Sequence, residues 1–211
     1  AMAHCNTVLN QVVGFFKRHE FESLARKHHV GQKFRSFNRW SQFMAMMVCQ
    51  LSGRKSLRDI VENLKAQVHK LYHLGMKTVS RTTLARVNDE QSHELYKELF
   101  YKMFNRCKAV APSHRFKIDE KVYLLDATTI NLCLEAFPWA TYRQKKGAIK
   151  MHVGLDVDGY LPEFIDVTEG KKHEMLWARM LQLPAGSLAI FDRGFTDYEW
   201  WQQLMTNGIF F

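Results

Sequence analysis

Two aspartates stand where a carboxylate could do chemistry. Asp126 lies inside Val122-Tyr123-Leu124-Leu125-Asp126-Ala127-Thr128-Thr129-Ile130, an apolar and β-branched run. An ionised carboxylate there costs several kcal/mol unless it is paired, hydrated or bound to a metal. Asp192 ends the short run Leu188-Ala189-Ile190-Phe191 and precedes Arg193-Gly194, so it would project at the mouth of a sheet, the edge where open α/β sheets bind ligands. Taken singly, each acid is more simply a turn former or a helix cap. Taken together, two adjacent carboxylates repel, and a divalent cation relieves the repulsion. Oxygen ligands with room for water suit Mg²⁺ or Mn²⁺ rather than zinc. Two such ions can bracket a phosphodiester, which makes phosphoryl transfer the natural reaction class.

The elements that must carry these acids follow from periodicity. Val122 to Ile130 reads as a buried strand, and Ala148 to Val157 and Tyr160 to Thr168 as two more around the turn sequence Asp156-Val157-Asp158-Gly159. His173 to Leu183 reads as a helix, Ser187 to Asp192 as a strand, Thr196 to Thr206 as a helix, and Ile209 to Phe211 as the start of a strand. In this β-β-β-α-β-α-β order the first and fourth strands can lie side by side and parallel, which would bring Asp126 and Asp192 to the same end. Upstream, helices are expected. Apolar residues repeat at three- and four-residue spacing from Asn38 to Leu51 before Gly53, Ser56 caps a segment with Asp59 three residues on, Ser80 opens another, and Gln91 to Cys107 places Leu95, Leu99, Phe100 and Met103 on one side. The stretch from Ala109 to Glu120, with Pro112, reads as the linker, dividing a helical region over 2–110 from a β-containing region over 111–211. The fold class expected is α+β.

At 211 residues and 46% hydrophobic, the chain can bury at least one full core, which argues against disorder. No apolar stretch approaches the twenty or so residues needed to cross a bilayer. Cys5, Cys49, Cys107 and Cys133 form no CxxC pair, so neither a zinc site nor a disulfide framework is indicated, and a reducing cytoplasm fits. The net charge of +9 divides unevenly, with +12 over residues 1–115 and −3 over residues 116–211. That asymmetry suits a polyanion-binding region joined to one using carboxylates, or else a basic solvated helical surface. Arg39, Arg54, Lys55, Arg58, Arg81 and Arg86 are the candidate contacts to duplex DNA in the first region. In the second, Trp139 with Arg143, Lys145, Lys146 and Lys150 mixes aromatic and basic residues, as for gripping DNA. A packed Trp beside solvated charges accounts for the same residues. His152 and His173 read as hydrogen-bonded structural histidines, and Trp177, Trp200 and Trp201 as core.

The series Leu125-Asp126-Ala127-Thr128-Thr129-Ile130, Phe137-Pro138-Trp139-Ala140, Lys146-Gly147-Ala148-Ile149-Lys150-Met151-His152 and Phe191-Asp192-Arg193-Gly194-Phe195-Thr196-Asp197 resembles the insertion-sequence-four type of bacterial DDE transposase. The resemblance implies an RNase-H-like fold preceded by a helical DNA-binding region, with Asp126 and Asp192 as the first two metal-binding acids. It also implies transposon-end DNA as partner, Mg²⁺ or Mn²⁺ as cofactor, a nucleoid setting, and allows a homodimer on DNA. The family's third acid is a Glu in a Tyr-Arg-Glu-Lys motif that these residues do not contain, so the resemblance implies a chain stopping short of it, unable to cut or join DNA. Glu199 sits too close after Asp192 to substitute. Glu174 stands where an Asp is expected after His173, and Trp200 where an Arg is common. The reading from a different class is a DNA-binding module without catalysis.

Overall fold

Three polar side chains set the helical frame of the N-terminal half. In the computed structural model, which describes residues 8–31, 34, 37–54, 56–132, 141–143 and 146–211, Asn38, Ser56 and Ser80 each accept a hydrogen bond from the backbone amide three residues on, at Ser41, Asp59 and Thr83. Each cap satisfies an amide that the first helical turn leaves without a partner. The helices so started are α3 (Arg39–Leu51), α4 (Leu57–Ala66) and α6 (Arg81–Glu90), which stand among α1 (Val8–Gly14), α2 (Arg18–Lys27), α5 (Val68–Leu71) and α7 (Glu94–Lys108). Their apolar faces share one core built from Phe21, Trp40, Phe43, Met44, Ile60, Leu64, Leu84, Val87 and Leu95. Phe21 and Trp40 meet edge to face with ring centroids 5.2 Å apart, the arrangement that ring quadrupoles favour. The chain divides into two units, Ala1–Met103 and Phe104–Phe211. The Pro112 stretch, where composition puts the linker, falls inside the second.

The second unit is a mixed sheet with helices. Its strands are β1 (Val122–Leu132), β2 (Thr141–Arg143), β3 (Lys146–Asp156), β4 (Leu161–Glu169) and β5 (Leu188–Phe191), with α8 (Glu174–Ala178) and α9 (Tyr198–Thr206). β3 pairs antiparallel with β1 on one side and with β2 and β4 on the other, while β5 adds to β1 in parallel. Beyond β5, Phe210 bridges to Leu188 in parallel, so the chain resumes strand pairing there. The turn from β3 into β4 uses Asp156-Val157-Asp158-Gly159. The Asp156 carboxylate accepts the Asp158 amide at 3.0 Å, and Gly159 takes the left-handed φ of +71° that side-chain-bearing residues avoid. An α+β chain with a helical region before a mixed sheet agrees with an incomplete RNase-H-like arrangement.

Side chains alternate across a strand, and the two faces of this sheet differ. One carries Tyr123 and Leu125 of β1 and Ala189 of β5 into a core with Met175, Trp177 and Ala178 of α8, Trp200 and Leu204 of α9, and Phe195. The other leaves Ile130, Ile165, Val167 and Ile190 exposed. The helix expected over His173 to Leu183 is shorter than its periodicity implied. It ends at Ala178, because Leu183 must turn into the core and Pro184 cannot continue the helix. Among the described residues no helix is long and apolar enough to cross a membrane.

Candidate functional site

Strand register decides where the two acids meet. β1 and β5 pair in parallel through Val122↔Leu188, Tyr123↔Ala189, Leu124↔Ile190 and Leu125↔Phe191. Asp126 and Asp192 each follow the last of these pairs, Asp126 still within β1 and Asp192 one residue past the end of β5. β5 stops at Phe191, while β1 runs on beside β3, with Asp126 opposite Val153. Both acids are exposed. Each fixes its direction through a nearby amide: Asp126 Oδ1 accepts the Ala127 N–H at 2.7 Å and Asp192 Oδ1 that of Gly194 at 2.9 Å. The second contact starts a short helical turn over Arg193–Phe195. A divalent cation shared by the two carboxylates would stand about 2.1 Å from an oxygen of each. Among the described residues no group of three His, Cys, Asp or Glu side chains is arranged to hold a metal ion.

The surroundings of Asp192 contain two further charges. Lys150 on β3 places its Nζ 2.9 Å from Glu174 Oε1 at the start of α8, and both side chains are mostly buried, at 15% and 23% exposure. The sequence marks Glu174 only as a departure from a pattern. His152 is fully buried, with Nε2 2.9 Å from Thr168 Oγ1 and its ring stacked on Trp177 at 5.1 Å. Burial first, and then the Lys150 charge, holds its pKa below the ordinary histidine value. His173 caps α8 by accepting the Met175 amide at 3.3 Å. A pair that sequence reasoning missed lies away from the acids: Asp156, 1% exposed, holds the Lys121 ammonium at 2.8 Å. Nothing local in the sequence joins these two.

In the first unit, Arg54, Arg58, Arg81 and Arg86 are exposed. Arg58 of α4 and Arg81 of α6 line a cleft of about 430 Å³ together with Lys65, Thr78 and Ser80, while Arg86 pairs with Glu90 at 2.8 Å on its own helix. Arg39 is corrected. It is 3% exposed, donates to Gln91 Oε1 at 3.0 Å and to the Ser92 carbonyl at 2.9 Å, and lies 5.4 Å from the centroid of the Tyr96 ring. A guanidinium so enclosed cannot reach phosphate. Arg143 and Lys146 are partners in the β2–β3 ladder. Lys55, Trp139 and Lys145 lie outside the described residues.

Comparison with known proteins matches this architecture in two parts. Residues 117–211 match a family model described as a transposase DDE domain. Residues 4–77 match one described as a domain of unknown function (DUF4372). A protein of Sinorhizobium fredii described as the transposase y4zB is 31% identical over 88 residues, covering 42% of this chain and 24% of that protein. A protein of Geobacillus stearothermophilus described as a transposase for insertion sequence element IS5377 is 26% identical over 110 residues, covering 52% of this chain and 28% of that protein. The matched parts thus span about a quarter of these relatives. No solved structure matches the chain significantly.

Proposed function

Residues 117–211 of this chain match the transposase DDE domain family, and on that premise we propose that the whole protein cuts and joins DNA at the ends of an insertion sequence of the insertion-sequence-four type. The supporting observation is the parallel register of β1 and β5, whose last pair, Leu125↔Phe191, immediately precedes Asp126 and Asp192. In this reading their carboxylates hold Mg²⁺ or Mn²⁺. The metal, when bound, supplies activation of water or of a 3′ hydroxyl and stabilises the leaving oxygen. The protein's own part is positional: the Ala127 and Gly194 amides aim the two carboxylates, and the sheet fixes their spacing. Misplacing a reacting group by even about 1 Å can slow a reaction roughly a hundredfold.

The helical unit is assigned to duplex DNA. Arg54, Arg58, Arg81 and Arg86 are exposed on or beside capped helices in the region that carries the charge surplus. Anisotropy titrations of the chain against duplex DNA at several salt concentrations should give a log affinity that falls steeply with log salt, by about 0.9 for each phosphate neutralised. The metal site is tested separately by titrating the chain with Mn²⁺ and following the free-ion spin-resonance signal. Millimolar binding that weakens in both Asp126→Asn and Asp192→Asn is expected. Binding indifferent to both substitutions, or DNA affinity indifferent to salt, overturns the corresponding assignment.

A further inference from the structure

Two carboxylates crowd the side of Gly194 where a side chain would stand. A Cβ built there would stand 2.9 Å from Asp192 Oδ1 and 2.9 Å from Glu174 Oε2, closer than real side chains permit. The two acidic oxygens therefore border the same backbone carbon and lie no more than twice that distance apart. One of them, Asp192 Oδ1, is also the acceptor of the Gly194 amide. The other belongs to a carboxylate whose remaining oxygen receives Lys150 Nζ at 2.9 Å. Two like charges this close in a partly buried site repel, and the lysine offsets that repulsion. Three elements thus converge on one turn: β3 through Lys150, α8 through Glu174, and the turn after β5 through Gly194.

We propose that Lys150 and Glu174 act as one positioning unit for Asp192. Their ion pair presses Glu174 against Gly194, which holds the Gly194 amide on Asp192 Oδ1 and so fixes where the second oxygen of that carboxylate points. The inference rests on the reading of Asp192 as a metal ligand. It gives Lys150 a structural partner in place of a DNA phosphate. It also makes Glu174 a support for a ligand, not a ligand itself. Residues that orient metal ligands in this way change metal affinity by roughly 10- to 100-fold when altered.

The test has a metal-free and a metal-bound arm, both on the full chain with Glu174→Gln, Lys150→Met and the double variant. Without metal, the Gly194 amide proton resonance reports its hydrogen bond to Asp192. Each single substitution should move it upfield, and the double variant should move it no further, because either change alone dissolves the unit. With Mn²⁺, each single variant should bind about tenfold more weakly, again without addition in the double. A Lys150→Met chain that binds Mn²⁺ more tightly while Glu174→Gln binds more weakly would make Glu174 a ligand and overturn the proposal. So would an unmoved Gly194 resonance in both variants. Should Glu174→Gln fail to fold, Lys150→Met and Gly194→Ala carry the same test, the latter expected to push aside the Glu174 and Asp192 carboxylate oxygens that its methyl would meet. An Asp192→Asn chain that binds Mn²⁺ like the parent removes the metal reading instead, and the amide resonances still decide the positioning role.

Discussion

Replacing Arg39 with Met separates a buried strut from a DNA contact. The guanidinium makes two charge-assisted hydrogen bonds, to Gln91 Oε1 and to the Ser92 carbonyl, each worth about 1.5–3 kcal/mol. Its approach to the Tyr96 ring adds about 1–2 kcal/mol. Against these stands the desolvation of a charge in a residue only 3% exposed, which Met does not suffer, and Met's unbranched chain refills much of the volume. Gln91 Oε1 also keeps the Val30 amide, so the Ser92 carbonyl is the acceptor left short. The net expectation is a loss of about 3 kcal/mol, a large part of the roughly 5–15 kcal/mol that holds a typical domain. Urea unfolding followed by the helical circular dichroism signal measures it as a lower midpoint at constant slope. The salt dependence of DNA affinity, taken where the variant is fully folded, should not change. Arg58→Ala and Arg81→Ala should behave oppositely, with stability altered by no more than about 0.5 kcal/mol and the salt slope reduced by about 0.9 for each lost phosphate contact. An Arg39→Met chain with an unchanged urea midpoint and a shallower salt slope would refute the argument.

Two further outcomes follow from ion pairs in each unit. Asp156→Ala should cost about 3 kcal/mol, at the low end for a broken buried pair because Lys121 is one-third exposed and can reach water; thermal unfolding of the chain reads it, and a melting point like that of the parent contradicts it. Glu98 accepts hydrogen bonds from His28 first and from Lys27, which pull its pKa from an ordinary 4.5 down to about 2. Because the folded value is the lower one, this contribution to stability is complete above about pH 4.5 and disappears as the pH falls toward 2. Stability measured across that window should decline less in Glu98→Gln than in the parent chain, and equal declines would show that the pair carries no weight.

Much of this fold is written in short stretches of sequence. The caps at Asn38, Ser56 and Ser80, the turn at Asp156 to Gly159, and the apolar runs that became β1 and β5 all act through contacts within about four residues, where residue type alone sets the geometry. An acid embedded in such a run, as at Asp126, is conspicuous for the same reason. Tertiary structure decided what depended on partners far along the chain. Arg39 looks like any helical arginine until Gln91, 52 residues away, and Tyr96 close around it. Lys150 reads as one of a basic run until α8 brings Glu174 to it. Helix α8 stops short of its periodic pattern because the core claims Leu183. The nearness of Asp126 to Asp192 was available as a topological argument, but its register came only with the pairing of β1 and β5, since strand neighbours are chosen by the packing of whole faces and not by any residue on its own.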